Sequence, residues 1–320
     1  VLLYCAVGAR SAIGAQTAAG LGYTNVSSLA GGYNLWKYYT TRGVGRPLSA
    51  AQRDRFARHL TLEEVGPAGQ EKLLAASVVI VGAGGLGSPA ALYLAAAGIG
   101  RIGLVDADVV ELSNLQRQIV HTVDRLGEPK AASAAQTIDR INPDCDIHVY
   151  DTRLSAENVL DIIADYQVII DATDNFPTRY LLSDASLMTR TPLVHASILR
   201  FEGHASVFHP YEGPCYRCLF PEPPPPEMAP ACGEAGVLGV LCGVMGSIQA
   251  NEVIKVLLGT GETLTGRLLI YDALSMSFNE LNIRRDPACP ACSDGAKLEF
   301  RDYEAWCAGQ RDHPQSLVRA

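Results

Sequence analysis

A glycine-rich stretch, VVIVGAGGLGS at positions 78–88, has the residue types and spacing that bring a protein backbone close to a phosphate chain. Gly82, Gly84 and Gly87 give the spacing G-x-G-x-x-G between an apolar run and a helical pattern. Small residues there let backbone N–H groups and the helix N-terminus approach a phosphate. Asp106 ends the next apolar run, where a carboxylate can accept hydrogen bonds from a ribose. The pattern predicts a nucleotide site without saying which nucleotide binds.

Three later segments, SNLQRQ, GEPKA and DATDN, place charged and polar side chains after predicted strands. The carboxyl ends of strands are where an open α/β sheet binds ligands. Arg and Lys can stabilise charge that develops at a phosphate, and Asp can hold Mg²⁺. A hydride-transfer enzyme needs no such cluster, so these segments favour chemistry at a phosphate. The residues concerned are Asn114, Arg117, Gln118, Lys130, Asp171 and Asp174.

Four of the nine cysteines form two C-x-x-C pairs, Cys215 with Cys218 and Cys289 with Cys292. Four thiolates in a closed tetrahedral site are typical of structural zinc. The gap between the two pairs is much longer than in a zinc ribbon, so spacing alone leaves a redox dithiol open. We expect Cys145, Cys242 and Cys307 to be core or incidental thiols.

The elements that must position these residues alternate between strand and helix from Ser77 onward. This alternation predicts an α/β fold, a Rossmann-like doubly wound and mostly parallel sheet with helices on both faces. The predicted strands are 78–81, 101–106, 146–150, 167–171, 192–195, 205–210 and 267–272. The predicted helices are 88–97, 130–141, 155–164, 177–190 and 243–258. Residues 221–230, PEPPPPEMAP, predict an irregular crossover.

Composition excludes few classes of function. The 320 residues are 48% hydrophobic and carry a formal net charge of −8, which argues against a protein that mainly binds a nucleic-acid backbone. Two apolar stretches, 73–100 and 237–258, are interrupted by glycine or polar residues, so we expect buried structure and no membrane partner. No signal peptide is visible, and we expect a cytoplasmic protein.

The stretch from about Ser49 to Cys292 resembles the MoeB/ThiF family of adenylyltransferases, which are related to ubiquitin-activating enzymes. The resemblance lies in RFARHLTLEEVGPAGQEKL, VGAGGLGS, SNLQRQ, GEPKA, DATDN, PCYRCLFPEPPPP, CGEAGVLG, GSIQANEVIK and CPAC, in that order. It implies a sheet of the ubiquitin-activating-enzyme type. It also implies adenylation, with ATP and Mg²⁺, of the C-terminal Gly-Gly of a small ubiquitin-like sulfur carrier protein, and structural Zn²⁺ on the four paired cysteines.

The same resemblance implies roles for individual residues. Asp106 would hold the ribose, Asp174 would bind Mg²⁺, and Arg58 would reach the ATP site of the other protomer of a homodimer. Cys232 matches a family cysteine that bonds to the carrier in some members and is dispensable in the MoeB type, so its catalytic role stays open. The implied nucleotide-binding residues are Gly82, Gly84, Gly85, Gly87, Asp106, Asp108, Ser113, Asn114, Arg117, Gln118, Lys130, Asp174 and Asn175.

The first residues resemble the active-site loop of rhodanese sulfurtransferases, C-x-x-G-x-R-S, in CAVGARS. Backbone N–H groups, a following helix and Arg10 would stabilise a thiolate or persulfide at Cys5. LAGGYNLW at 29–36 matches a later rhodanese segment. Because the sequence begins at Val1, we expect the first half of this module to be missing from it. A persulfide-bearing enzyme is a further expected sulfur donor.

We therefore predict a partial rhodanese-like domain at 1–38, a linker at 39–50, an adenylyltransferase domain at 51–295 and a C-terminal tail at 296–320. The favoured carrier is MoaD-like, for molybdopterin synthesis, and the alternative is a ThiS-like carrier for thiamine synthesis. Two other classes stay open, a NAD-dependent oxidoreductase and a non-catalytic scaffold that binds a ubiquitin-like partner.

Overall fold

A computed structural model describes residues 1–4, 9–29, 33, 48–224 and 236–308 of the chain. Cys5, Cys232 and most of the LAGGYNLW segment lie outside these residues. The described chain divides into two compact units, Val1–Ala75 and Ala76–Ala320. The predicted domain limits stay predictions.

The first unit begins with a small parallel pair of strands, β1 (Leu2–Leu3) and β2 (Ser27–Ser28), joined through helix α1 (Ala9–Gly20). Helix α2 (Ala50–Arg55) starts at a capping box in which Ser49 accepts from Gln52 N. A 3₁₀ turn at His59–Thr61 and helix α3 (Gly66–Leu74) follow. Pro67 lies in the first turn of α3, where proline is tolerated because the N–H groups there have no partner within the helix.

The second unit is built on one eight-stranded sheet in the order β10-β9-β8-β7-β6-β3-β4-β5. The strands from β7 to β5 in this order are parallel, and β8, β9 and β10 are antiparallel. This confirms the predicted mostly parallel α/β sheet. The strands are β3 (Ser77–Val81), β4 (Arg101–Val105), β5 (Asp146–Tyr150), β6 (Val168–Asp171), β7 (Leu193–Leu199), β8 (Glu202–Phe208), β9 (Arg267–Asp272) and β10 (Ser277–Asn282).

Strand β3 lies in the interior of the sheet and its side chains are buried on both faces, as its unbroken Val/Ile run predicts. Its last residue, Val81, pairs with Val105 of β4 on one side and with Asp171 of β6 on the other. The chain order reverses between β3 and β6. The crevice beyond their carboxyl ends is therefore the place where such a sheet binds ligands.

The helices of this unit are α4 (Gly87–Ala97), α5 (Lys130–Ile141), α6 (Val159–Ile163), α7 (Phe176–Thr189), α8 (Tyr216–Leu219), α9 (Gly239–Leu258) and α10 (Tyr303–Cys307). The helix expected at 155–164 is shorter, because Asn158 accepts from Ser155 N and donates to Arg153 O, which holds the chain in a turn. The strands expected at 192–195 and 205–210 form a hairpin that turns at Arg200, whose φ is 55°.

Helix α9 meets the length and composition of a membrane-crossing helix, with a mean hydropathy of 1.3. It packs against α4 and β7 inside the second unit. Buried Gln249 on this helix donates to the backbone carbonyls of Asp171 and Val194. The contacts therefore describe a core helix, as the sequence analysis expected.

Three described elements of the second unit, α8, β10 and α10, have no counterpart among the predicted elements. Strand β10 is exposed and polar along most of its length, so it lacks the apolar signal of a strand, and its pairing with β9 defines it. Helix α10 lies within the predicted tail, yet buried Tyr303 donates to Asp184 Oδ2 at 2.7 Å. Part of the predicted tail thus belongs to the core of the second unit.

A buried ion pair ties α7 to the short helix α8. Arg217 donates to both carboxylate oxygens of Asp184, at 2.9 and 2.6 Å, and neither side chain is exposed to solvent. The guanidinium also lies over the rings of Tyr180 and Trp306. A buried pair of this kind is costly to break, because the remaining charge loses its oppositely charged partner and stays buried.

We predict that Asp184→Ala lowers the free energy of unfolding by about 3–5 kcal/mol, because Arg217 is left buried and unpaired. Urea denaturation followed by circular dichroism measures the change. Asp146→Ala is the matched control, since its partner Arg101 is solvent-exposed and the variant is expected to differ little from wild type. Equal losses in the two variants would contradict the importance of the buried pair.

Candidate active site

A cavity of about 780 Å³ opens beyond the carboxyl ends of β3, β4 and β6. It brings together most of the residues that the sequence analysis selected, from five separate segments. Gly87, Ser113 and Asp171 are absent from its lining, although each is next in the chain to a residue that lines it. The selected residues that line it are Gly82, Gly84, Gly85, Asp106, Asp108, Asn114, Arg117, Gln118, Lys130, Asp174 and Asn175.

The glycine-rich turn is compact enough to require glycine at two of its positions. Gly82 has a φ of +99°, and a Cβ there would lie 2.6 Å from the carbonyl oxygen of Ala172. A Cβ on Gly87 would lie 1.9 Å from the carbonyl oxygen of Gly82. Gly87 therefore closes the turn, which explains why it shapes the cavity without lining it.

Asp106 fixes the turn from the adjacent strand. Its carboxylate accepts from Ala83 N at 2.8 Å and from Asp108 N at 2.9 Å. Burial raises the pKa of this carboxyl above its ordinary value, and the two N–H donors and Lys130 oppose that shift. Both oxygens are acceptors at the cavity wall, in the position where a ribose hydroxyl can donate.

His121 holds the glycine-rich turn from behind. Its Nε2–H donates to Ala83 O at 2.9 Å, and its Nδ1 accepts from the Ser133 hydroxyl at 2.9 Å. A carbonyl can only accept, so Nε2 carries a proton. Burial lowers the pKa of His121, and the charges of Lys130 and Arg125 lower it further.

Arg117 reaches the cavity from the turn that follows β4. Buried Asn114 caps the 3₁₀ turn Leu112–Asn114 by accepting from Glu111 N at 3.0 Å. Arg117 Nη1 donates to Ser113 O at 3.0 Å. Ser113 thus orients Arg117 through its carbonyl, and the guanidinium keeps N–H groups for an anion.

Lys130 is the first residue of α5 and is almost fully buried. Its Nζ lies 2.8 Å from Asp108 Oδ2, whose side chain is 73% exposed. Since the helix N-terminus also favours negative charge, the Lys130 end of α5 can attract a phosphate. A phosphate would compete with Asp108 for the ammonium.

The DATDN segment begins at the end of β6, and its last four residues line the cavity. Asn175 caps α7 by accepting from Thr178 N at 3.0 Å, which leaves Asp174 on the loop before the helix. Arg179, from the first turns of α7, also lines the cavity and donates to Thr173 O at 3.1 Å. The loop therefore offers a carboxylate beside a fixed guanidinium.

The thiol of Cys242 also lines this cavity. It is buried, and its Sγ lies 2.8 Å from the place where a Cβ on Gly85 would be. Cys242 is buried, as expected of a core thiol. The sequence analysis did not place it against the glycine-rich turn. Cys145 is buried as expected, and Cys307 is half-buried.

The four paired cysteines come together in the second unit, with their sulfurs within 4.8 Å of one another. The Cys215–Cys289 and Cys218–Cys292 sulfurs lie 3.5 Å apart, and those of Cys215 and Cys218 lie 3.9 Å apart. Four sulfurs at about 2.3 Å from one zinc ion would be separated by about 3.8 Å. The cluster could bind zinc in a closed tetrahedron.

The model of the ThiF family matches residues 56–291, which contain the cavity and three of the four clustered cysteines, and Cys292 follows directly. The chain belongs to the ThiF family. The model of the rhodanese-like domain matches residues 1–38, in agreement with the predicted partial module.

Curated relatives of this ThiF-family chain are similar over most of its length. A sulfur carrier protein adenylyltransferase of Thermus thermophilus is 52% identical over 260 residues, which are 79% of this chain and 96% of that protein. A SAMP-activating enzyme E1 of Haloferax volcanii is 52% identical over 82% of this chain and 97% of its own. An adenylyltransferase and sulfurtransferase of Drosophila yakuba is 48% identical over 87% of this chain and 62% of its own.

Among solved structures, Escherichia coli MccB crystallised with ATP has a TM-score of 0.65 at 21% identity. The similarity covers 75% of this chain and 74% of that one. At this identity the likeness concerns the fold, which agrees with the predicted ubiquitin-activating-enzyme type of sheet.

Two site residues of the ThiF-family chain were missed by sequence reasoning. His121 follows Gln118 by three positions in the segment SNLQRQIVH, and Arg179 follows Asp174 by five. Both lie within four positions of a segment that the sequence analysis selected, so nearness in the chain carried a signal. Arg58, by contrast, is exposed in the first unit, before the 3₁₀ turn His59–Thr61.

We predict that His121 makes the stability of the ThiF-family chain sensitive to acid. Its pKa in the fold is below the ordinary 6.5, so the unfolded chain takes up more protons as the pH falls. The free energy of unfolding should therefore fall below about pH 6.5, and His121→Gln should reduce this slope. Urea denaturation at a series of pH values measures it. An unchanged slope in His121→Gln would contradict the prediction.

Proposed function

We propose that this enzyme uses ATP to adenylate the C-terminal glycine of a small ubiquitin-like sulfur carrier protein. The observation that carries the proposal is one cavity that combines the glycine-rich turn, Arg117, Lys130 and Asp174. Family membership and relatives named as adenylyltransferases support it. The product would be an acyl-adenylate prepared for thiocarboxylate formation.

In this reaction the glycine carboxylate attacks the α-phosphorus of ATP, and the bond to the β-phosphate oxygen breaks to release pyrophosphate. The turn at Gly84 and Gly85 would bring backbone N–H groups to the phosphate chain. Arg117 and Lys130 would stabilise the charge that builds up on the phosphate oxygens. Asp106 would orient the ribose, and the closed turn would align the reacting atoms.

Asp174 is the residue that would hold Mg²⁺. Its carboxylate lines the cavity on the loop before α7, and hard oxygen donors next to substrate phosphates are the usual surroundings of this ion. Asn175 beside it uses its side-chain oxygen to cap α7, so it contributes by fixing the loop. When bound, Mg²⁺ would neutralise part of the phosphate charge.

Arg58 would contribute to the ATP site of a second protomer, which makes a homodimer part of the proposal.

Sulfur would then come from a persulfide, either at Cys5 in a complete rhodanese module or on a separate enzyme. The terminal persulfide sulfur attacks the acyl carbon and AMP leaves, and a second thiol then cleaves the S–S bond to free the thiocarboxylate. Whether Cys232 takes part in a covalent step stays open between the two family patterns.

We favour a MoaD-like carrier of molybdopterin synthesis, because SNLQRQ, PCYRC and the rhodanese segment resemble that branch. A ThiS-like carrier is the alternative, since the same chemistry serves both.

The glycine fingerprint and Asp106 would also suit a NAD-dependent oxidoreductase, but the relatives are named adenylyltransferases. The intact Arg117, Lys130 and Asp174 oppose a non-catalytic scaffold. The expected cytoplasmic location stays a prediction.

We predict that Arg117→Ala and Asp174→Ala each abolish carrier-dependent exchange of pyrophosphate into ATP, because each removes charge stabilisation at the phosphates. A loss of about 10²–10³-fold is expected for one such group. Arg101→Ala, at an exposed arginine outside the cavity, should exchange at the wild-type rate. Cys5→Ser should also exchange normally and lose only sulfur delivery from a persulfide donor. Wild-type exchange rates in Arg117→Ala and Asp174→Ala would refute the proposed site.

We predict one structural Zn²⁺ per chain at the four cysteines. Metal analysis of the purified protein should find about one equivalent, and Cys289→Ser should lose most of it because a closed site needs its fourth thiolate. Cys145→Ser, at a buried cysteine outside the cluster, should keep the full equivalent. Full metal content in Cys289→Ser would show that the cluster is not the site.

A further inference from the structure

The two residues between the cysteines of the first C-x-x-C pair connect the four-cysteine cluster to other parts of the second unit. Tyr216 and Arg217 lie between Cys215 and Cys218 on the single turn of α8, and both side chains are buried. Arg217 anchors this turn to α7 through Asp184. The turn that carries two thiols is therefore also held against the body of the unit.

Tyr216 extends from this turn toward the DATDN loop. Burial raises the pKa of the Tyr216 hydroxyl to about 12, and the Arg179 guanidinium, which faces this hydroxyl, opposes the rise. The same guanidinium donates through Nη2 to Thr173 O at 3.1 Å, and Thr173 directly precedes Asp174 in the chain. One arginine thus joins the interior of the C-x-x-C pair to the loop that carries the proposed magnesium ligand.

The loop is held on its other side by Asp171, the last residue of β6. Asp171 Oδ1 accepts from both the backbone N and the hydroxyl of Thr173, at 3.0 and 2.6 Å. Its Oδ2 lies 2.7 Å from His195 Nδ1, and the His195 ring packs edge-on against Tyr216 with centroids 5.2 Å apart. Tyr216 therefore supports Thr173 by two routes, through Arg179 and through His195.

We propose that Tyr216 is a positioning residue that couples the four-cysteine cluster to the Asp174 loop. An ordered C-x-x-C turn fixes the Tyr216 hydroxyl, which orients Arg179 and so sets the position of Asp174 toward Mg²⁺. This inference rests on the proposed function, since it assigns the loop to magnesium-bound ATP. It makes the cluster a determinant of nucleotide affinity as well as of folding.

The test is the affinity of the full-length protein for ATP, measured by calorimetry with and without added Mg²⁺ and without chelators. Tyr216→Phe keeps the ring and the four cysteines but removes the hydroxyl that faces Arg179. We expect ATP affinity with Mg²⁺ to fall about tenfold, as for other partners that orient metal ligands. Affinity without Mg²⁺ should stay within about twofold of wild type, and zinc content should be unchanged.

Tyr180→Phe is the matched control. Tyr180 is buried in the same aromatic cluster, packs against Tyr216 and donates to Phe220 O, so it loses a hydroxyl without touching Arg179 or Thr173. It should bind ATP like wild type under both conditions. Arg179→Lys should reproduce the magnesium-specific loss, and adding Tyr216→Phe to it should cost little more, because the two act through one contact.

An equal affinity for ATP and Mg²⁺ in Tyr216→Phe and wild type would overturn the coupling, as would a loss of the same size in Tyr180→Phe. Should Tyr216→Phe not fold, Arg179→Lys decides by the same criterion. A wild-type protein that binds no ATP would instead overturn the proposed function itself, so the two failures are distinguishable.

Discussion

The parallel pairing of β3 with β4 and β6 is the constraint on which the rest of the structure depends. It brings Val81, Val105 and Asp171 to one level of the sheet, so that the loops after all three strands meet over one crevice. The turn after β3 can close there only because Gly82 and Gly87 carry no Cβ, since the backbone leaves no room for one at either position. Asp106, Arg117, Lys130 and Asp174 all follow strands whose positions this pairing fixes.

Around that frame, the site is held by buried polar contacts. Asp106 and His121 fix the glycine-rich turn through the backbone of Ala83, from opposite sides of the residue. Asp171 and Arg179 fix Thr173 in the same manner, one at its N–H and one at its carbonyl. Such double fixation restricts both loops. His121 and Asp171 act from outside the cavity lining, whereas Asp106 and Arg179 also line it together with Arg117, Lys130 and Asp174.

Much of this could be predicted from the sequence, for physical reasons. Unbroken Val/Ile runs mark strands that are buried on both faces, and the glycine spacing marks a turn with close backbone contacts. The C-x-x-C pairs marked a metal cluster whose sulfurs lie within reach of one ion. What the sequence could not show is pairing over long separations. Asp184 meets Tyr303 across 119 positions, and exposed β10 has no apolar pattern of its own.

The central claim is that this cavity transfers AMP from ATP to the C-terminal glycine of a ubiquitin-like sulfur carrier. Mass spectrometry of the carrier after incubation with the enzyme, ATP and Mg²⁺ tests it most directly. The account predicts one AMP adduct, confined to the C-terminal peptide and lost when the terminal glycine is deleted. A panel of MoaD-like, ThiS-like and other carriers with a C-terminal Gly-Gly that remained unmodified throughout would contradict it.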